Sequence, residues 1–370
     1  IDKIDYITIS RDPKANFSKK IIYAFRNPLQ FLNIWSRIMN ITKVSSVKSE
    51  LEEMFKLSEF RIKAKIYNIE HHRSHIASSF FASRFKRAAI LSIDGFGDFT
   101  STMTAIGDRN KFEILDEVNY PHSLGVFYTT LTQFLGFPNY GDEYKVMGLA
   151  PYGKDRYQKE LKQILQITDN GFFRLNKKYF RHFKEGVSMI WNNGIPSIDS
   201  LYTEQWSNLF GKPRSQGDEL EQWHIDLATS TQKYTEKVIF HMLNRLHKST
   251  GLDNICITGG VAQNSVVNGK ILEKTNFKNI YIPSAAHDAG TCIGSALFLY
   301  NQILGQERMQ EIQTSYFGKN ATEDDIIRIL DERDINYSVL SDNELFEDVA
   351  NKLANGAVIG WFQGRAEFGP

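Results

Sequence analysis

The residues best suited to chemistry are two histidines. In Glu70-His71-His72-Arg73-Ser74-His75, His71 and His75 are four positions apart, which on a helix puts them on one face with Cβ atoms about 5–6 Å from each other. One metal ion can take two imidazoles at that spacing, although the same pair also occurs as surface or cap chemistry. His72 is rotated by about 100° from its neighbour and reads as structural. Asp94 closes the apolar run Ala88 to Ile93, and a tight link from helix to strand returns that carboxylate towards the helix. Two imidazoles with a carboxylate suit Fe, Mn or Zn better than Ca or Mg. Asp288, in Ala285-Ala286-His287-Asp288-Ala289-Gly290, reads either as a further ligand or as a helix N-cap; the His287 side chain is expected to diverge.

Four glycine-rich or basic segments offer contacts to an anion. In Asp94-Gly95-Phe96-Gly97-Asp98, Gly95 and Gly97 let backbone N–H groups approach a phosphate, or simply build a hairpin turn. Thr258-Gly259-Gly260-Val261-Ala262-Gln263-Asn264 runs from a strand into a helix start, a place for an anion or for close strand–helix packing. Gly141 to Gly153 reads as an ordered loop in which Lys145 could neutralise a phosphate. Arg365, near the end of Gly360 to Pro370, carries a planar fork suited to phosphate or carboxylate, or forms a salt bridge.

These groups need a scaffold, and the pattern supplies an α/β one. Residues 21 to 60 suggest helices broken near Pro28, with Phe25, Leu29, Leu32, Trp35, Ile38 and Met39 on the apolar positions. A helix from His71 to about Phe85 leads into the strand Ala88 to Ile93, a turn at 94–98, and strands over Thr100 to Ile106 and Phe112 to Val118. Ser123 to Gly136 and Glu219 to Ser249 read as helices, the second closed by Gly251. Two strand–turn–helix units follow: Asn254 to Thr258 with a helix to Glu273, and Asn279 to Pro283 with a helix from Gly290 to Ile303. Periodicity lapses over 304 to 320. Beyond it, Ala321 to Arg333 and Glu344 to Leu353 read as helices, Tyr337 to Leu340 as a short strand and Ala357 to Phe362 as a buried one. Residues 155 to 215 suggest an elaboration that shapes a pocket; Phe172, Phe173, Tyr179, Phe180 and Trp191 offer either a face for a sugar or polycyclic ligand, or core.

The 370 residues carry 44 basic and 43 acidic side chains, so no global field recruits nucleic acid or an anionic membrane. No apolar run approaches the ~20 residues of a membrane span. Cys256 and Cys292 are too few for a disulfide framework or a thiolate zinc site, and a cytoplasmic, reducing compartment is expected.

Taken in order, His71-His72-x-x-His75, Ile93-Asp94-Gly95-x-Gly97-Asp98, the run Gly141 to Gly153, Gly259-Gly260-Val261-Ala262-x-Asn264, Asp288-x-Gly290-Thr291 and Gly364-Arg365-x-Glu367-Phe368-Gly369-Pro370 resemble the nodulation-type (NodU/CmcH) O-carbamoyltransferases from about residue 65 onward. The resemblance implies an ATPase-type domain of the actin, hexokinase and Hsp70 class (the ASKHA fold) over 1–303, a linker over 304–320, and the start of a YrdC-like α/β domain over 321–370. It also implies a fragment at both ends, lacking the family's first hairpin and most of the YrdC-like domain. The implied reaction joins carbamoyl phosphate and ATP into carbamoyl adenylate and passes the carbamoyl group to a hydroxyl of a small-molecule acceptor, a sugar or natural product. Carried over residue by residue, the metal ligands are His71, His75, Asp94 and Asp288, with iron the metal of relatives. Nucleotide contacts fall at Gly95, Gly97, Gly259, Gly260, Asn264, Gly290 and Arg365, and Lys145 joins the catalytic set. Arg73 and His287 stand where relatives have small or apolar residues. A tRNA threonylcarbamoyl-type transferase is set back by the balanced charge and the Arg365 run. A non-catalytic nucleotide-binding regulatory module would not need four ligands, nor a sugar kinase the paired histidines.

Overall fold

The computed structural model describes residues 3–27, 47–55, 62–192 and 195–369. The expected helical positions from Pro28 to Met39 lie outside them. The chain divides into two compact units, Ile1–Glu311 and Ile312–Pro370. Among the described residues no helix is long and apolar enough to cross a membrane.

The first unit opens with β1 (Tyr6–Ile9), α1 (Phe17–Arg26), α2 (Val47–Met54) and β2 (Lys65–Asn68), which pairs in parallel with β1. Next come α3 (His71–Phe80), β3 (Arg87–Gly97), β4 (Thr100–Asp108) and β5 (Lys111–Asn119), then α4 (Leu124–Phe134) and α5 (Glu143–Leu149). The segment to 215 contributes α6 (Gln158–Ile164) and two small hairpins, β6 (Leu165–Ile167) with β7 (Phe173–Leu175), and β8 (Met189–Asn192) with β9 (Ile195–Ile198). The unit closes with α7 (Gln222–Thr250), β10 (Asn254–Thr258), β11 (Asn279–Tyr281) and α8 (Thr291–Leu297).

A five-stranded sheet in the order β11-β10-β3-β4-β5 organises these pieces. The β3-β4-β5 side is an antiparallel meander, while β10 and β11 run parallel to β3. Strand β3 is buried on both faces, which is why it reads as a nearly unbroken apolar run. Ala89, Leu91 and Ile93 face a core shared with α4 and α7, and Ala88 and Ile90 face a second core built on α3. Helix α3 is thus held between the sheet and α8. That packing is close enough that a Cβ at Gly294 would stand 1.8 Å from the Ser74 carbonyl oxygen. At its far end, α3 is held by Arg308, whose guanidinium donates to the carbonyls of Phe80, Ser83 and Phe85 and lies 4.7 Å from the Phe80 ring centre.

Several expectations are corrected. Helix α3 stops at Phe80 rather than near Phe85, where the Arg308 contacts take over its free carbonyls. The segment 94–98 is not a free turn: β3 continues to Gly97 with a register shift after Ile93, and the reversal falls on Asp98 and Phe99, at φ 48° and 82°. Residues 141–153 form α5 and a further helical turn rather than a loop, because Gly141 at φ 91° ends the preceding turn and no proline follows until Pro151. The single helix expected after β10 is broken into short turns by Gly259, Asn264 and Gly269. Phe172, Phe173, Tyr179 and Phe180 are core residues, all below 7% exposed, and offer no ligand face.

The second unit contains α9 (Glu323–Glu332) and α10 (Asp342–Ala354), each started by a capping box, from Thr322 and Ser341. The strands expected over Tyr337 to Leu340 and Ala357 to Phe362 do not form. Val358 is 98% exposed, and no described strand lies beside that run to pair with it.

Candidate metal centre

Three elements meet at one point. Helix α3 presents His71 and His75, the irregular end of β3 presents Asp94, and the helical turn before α8 presents Asp288. One donor atom from each lies within 4.8 Å of all the others. His71 Nε2 is 3.0 Å from Asp94 Oδ2, 3.1 Å from His75 Nε2 and 3.5 Å from Asp288 Oδ1. His75 Nε2 is 3.4 Å from each carboxylate. Donors held 2.0–2.2 Å from a shared cation at angles of 90° to 109° stand roughly 3.0–3.5 Å apart, so these separations fit one ion. A nitrogen–nitrogen contact between two imidazoles that can share at most one proton points the same way. The donor set of two nitrogens and two oxygens belongs with first-row transition metals.

The supports are as specific as the ligands. Asp94 Oδ1 accepts from the Gly260 N–H at 3.1 Å, leaving Oδ2 for the imidazoles, and its carbonyl accepts from the Ser123 hydroxyl at 2.9 Å. The Asp288 carbonyl holds the Thr291 hydroxyl at 2.6 Å. At the start of α3, Glu70 accepts from the N–H groups of His72 and Arg73, and Asp98 Oδ2 accepts from those of His71 at 3.0 Å and Asp12 at 2.7 Å. Burial pushes both of these carboxyls upward in pKa. His72 is structural: its Nε2–H donates to the Thr100 carbonyl and its Nδ1 accepts from the Ser92 hydroxyl. Burial and the neighbouring imidazoles hold it far below its usual pKa. Burial pulls His75 down as well, but the Asp288 and Asp94 carboxylates outweigh it and raise the ring to about 9. Asp94 is held well below the carboxylate range, the two imidazoles overcoming its burial.

The other expected site residues separate into two groups. Gly97, Gly259, Gly260 and Gly290 are required by packing: a Cβ would come within 1.9 Å of the His71 ring, 2.1 Å of the Ile93 carbonyl, 2.8 Å of Asp94 Oδ1 and 2.0 Å of the Ala285 carbonyl, respectively. Gly95 alone of this set faces open space. Asn264 is committed internally, exchanging hydrogen bonds with Gln232 and accepting from the Val267 N–H. The Lys145 ammonium pairs with Asp142 at 2.7 Å and lies over the rings of Phe137 and Tyr144. In the second unit, Arg365 donates to the carbonyls of Gly318 and Phe317 rather than to a carboxylate.

Asp98, Ser123 and Tyr140 were not singled out by spacing. Desolvation of the hydroxyl, then the charges of Asp288 and Asp94, push Tyr140 up to about 12, although the residue as a whole is 52% exposed. The Asp98 bond to the His71 N–H fixes the first turn of α3, so Asp98→Ala is expected to weaken metal affinity by about tenfold to a hundredfold. Asp98→Asn, which keeps a carbonyl acceptor there, should retain most of it. Chelator competition checks this, and an alanine variant that holds metal like the wild type would show that Asp98 positions nothing.

The cluster lies inside a mixed α/β unit, and sequence comparison places that unit in a family. Residues 14–297 match the family model for the carbamoyltransferase N-terminus, and the chain belongs to that family. It is 37% identical to an uncharacterized protein of Synechocystis, covering all of this chain and 60% of that protein. It is 36% identical to the nodulation protein NolNO of Sinorhizobium fredii, over 83% of this chain and 42% of that one. The chain spans about half the length of the curated relatives it matches. Among solved structures, HypF of T. kodakarensis shows 13% identity and a TM-score of 0.36 over 70% of this chain and 39% of that one; a likeness at that level carries no argument.

Proposed function

We propose that the chain is the transferase portion of an ATP-dependent O-carbamoyltransferase in which His71, His75, Asp94 and Asp288 hold one divalent transition metal, iron first, with Mn or Zn as alternatives. The observation that carries this is the convergence of two imidazoles and two carboxylates, from three elements, inside the segment that matches the family. A cation held there supplies a Lewis acid able to polarise a carbonyl and ease the loss of an alcohol proton. The chain's own residues prepare the place. Gly260 and Ser123 aim Asp94, and the caps on α3 keep His71 and His75 in register. His72 stays neutral and locked, so it neither competes for the ion nor exchanges protons with the ligands.

The finer reading follows the family. Carbamoyl adenylate, made from carbamoyl phosphate and ATP, is the donor, and a hydroxyl of a sugar or natural product is the acceptor. Residues 1–303 are an ATPase-type domain of the actin, hexokinase and Hsp70 class, 304–320 a linker and 321–370 the start of a YrdC-like domain, in a cytoplasmic protein. Gly95, open on its Cα side, is where a phosphate can lie closest to the backbone. Lys145 would have to leave Asp142 to join it.

Elemental mass spectrometry on anaerobically purified protein, paired with transfer of labelled carbamoyl from supplied carbamoyl adenylate to a panel of polyols, tests the proposal. The expected result is about one transition metal per chain and label on a hydroxyl oxygen. Protein without metal, or transfer that survives complete chelation, sinks it.

A further inference from the structure

We infer that a second site, separate from the metal centre, binds a phosphate or sulfate ester of a ring-bearing small molecule in the cleft between His122, the β6-β7 hairpin and Phe183. The cleft is a shallow depression open to solvent, with a volume of about 580 Å³, lined by His122, Gln166, Arg174, Lys177 and Phe183, among others, a volume in the range of small-molecule sites. Gln166 and Arg174 are directly opposed on the hairpin. Their neighbours Leu165, Phe173 and Leu175 turn inward to the core, so this pair projects outward.

The lining offers positive charge and hydrogen-bond donors and contains no carboxylate. Neither Arg174 nor Lys177 has an ion-pair partner among the described residues. His122 is half-buried at the floor, and its Nδ1 accepts the Leu175 N–H at 3.2 Å. That bond leaves Nδ1 without a proton, so the neutral ring carries its hydrogen on Nε2 and can donate it to a ligand. Burial, and then the Arg174 charge, lower this imidazole to about 4, which keeps it neutral near pH 7. The wall is aromatic: Phe183 meets the His122 ring edge to face at 5.7 Å between centres.

The surroundings add to the field. Arg174, Lys177, Lys178, Arg181 and Lys184 occur with no carboxylate between Asp169 and Glu185, in a chain whose net charge is +1. A cation would be repelled here and a neutral sugar would leave the charges unpaired, whereas an oxyanion pairs both cations and the imidazole N–H. An aromatic wall favours a ring attached to that oxyanion over the bare ion. The cleft adjoins the metal centre through the chain, because Ser123, next to His122, holds the Asp94 carbonyl.

Calorimetry on the intact chain in a phosphate-free buffer, with inorganic phosphate and phenyl phosphate as probes, tests this. Saturable binding of both is expected, phenyl phosphate the tighter by several-fold. In the Arg174→Ala/Lys177→Ala double variant each should weaken by at least about tenfold, the usual effect of losing charge-assisted hydrogen bonds. Both side chains are exposed, so circular dichroism should be unchanged. His71→Ala, which disables the metal centre, should bind both probes like the wild type. Absence of saturable binding, wild-type affinity in the double variant, or loss of binding in His71→Ala would overturn the site. Phenyl phosphate binding no tighter than inorganic phosphate would overturn the ester assignment. Because the His71→Ala arm is independent of metal, failure of this inference and failure of the carbamoyl-transfer proposal give different patterns.

Discussion

Asp94→Asn is expected to leave the chain unable to retain its metal while keeping its fold. The amide has the shape of the carboxylate, and its oxygen can still accept from the Gly260 N–H, now 3.1 Å from Oδ1. What changes is the atom facing the imidazoles. Asp94 Oδ2 lies 3.0 Å from His71 Nε2 and 3.4 Å from His75 Nε2. An NH2 group there brings protons in place of a lone pair and removes a negative charge from the donor set. Affinity should fall by more than about a hundredfold, since partners that only support a ligand are already worth tenfold to a hundredfold. Metal content after desalting, and competition with a chromophoric chelator, provide the measurement. A variant that keeps a stoichiometric ion at wild-type affinity would remove Asp94 from the ligand set and leave the cluster as a hydrogen-bonded network.

Gly259→Ala is expected to be the most damaging single methyl group in the first unit. Gly259 sits at φ 90°, and a Cβ built on it would stand 2.1 Å from the Ile93 carbonyl oxygen, with further backbone atoms of Ile93 inside 3 Å. Those atoms belong to the central strand of the sheet and cannot rotate away as a side chain would. Backbone strain and overpacking therefore act together, for a loss of about 3 kcal/mol or more. Gly141→Ala separates the two effects: its φ is 91° but nothing lies within 4 Å of its Cβ, so it should lose only about 1 kcal/mol. Urea denaturation of both variants measures the difference. Equal losses would mean that β3 and the loop after β10 are not packed as described, and Gly260 would then be free to move away from Asp94.

Much of the first unit was legible because its signals are local. The apolar run Ala88 to Ile93, the two following strands and the long helix closed by Gly251 each declare themselves within a dozen residues, and the structure has β3, β4, β5 and α7 at those places. The α5 segment was misread because glycine density suggested a loop, whereas Gly141 ends one turn and Gly148 has open space around it inside the helix. The run Ala357 to Phe362 has strand composition, but a strand needs a neighbour, and composition does not supply one.

The centre divides in the same way. Helical spacing by itself put His71 and His75 on one face, and a tight link to the following strand favours Asp94 returning towards them. Periodicity alone determined that a buried strand would carry this carboxylate. Tertiary structure decided the rest. It made Asp288 a partner of the imidazoles, brought Gly260 to aim Asp94, and set Asp98 over the first turn of α3. It also assigned Gly97 and Gly259 to close packing. Spacing along a chain is a statement about residues within one element, where repeat geometry fixes who faces whom. The Asp94–Gly260 bond spans 166 positions, and it depends on how β3 packs beside β10 and the loop that follows it, which no local pattern encodes.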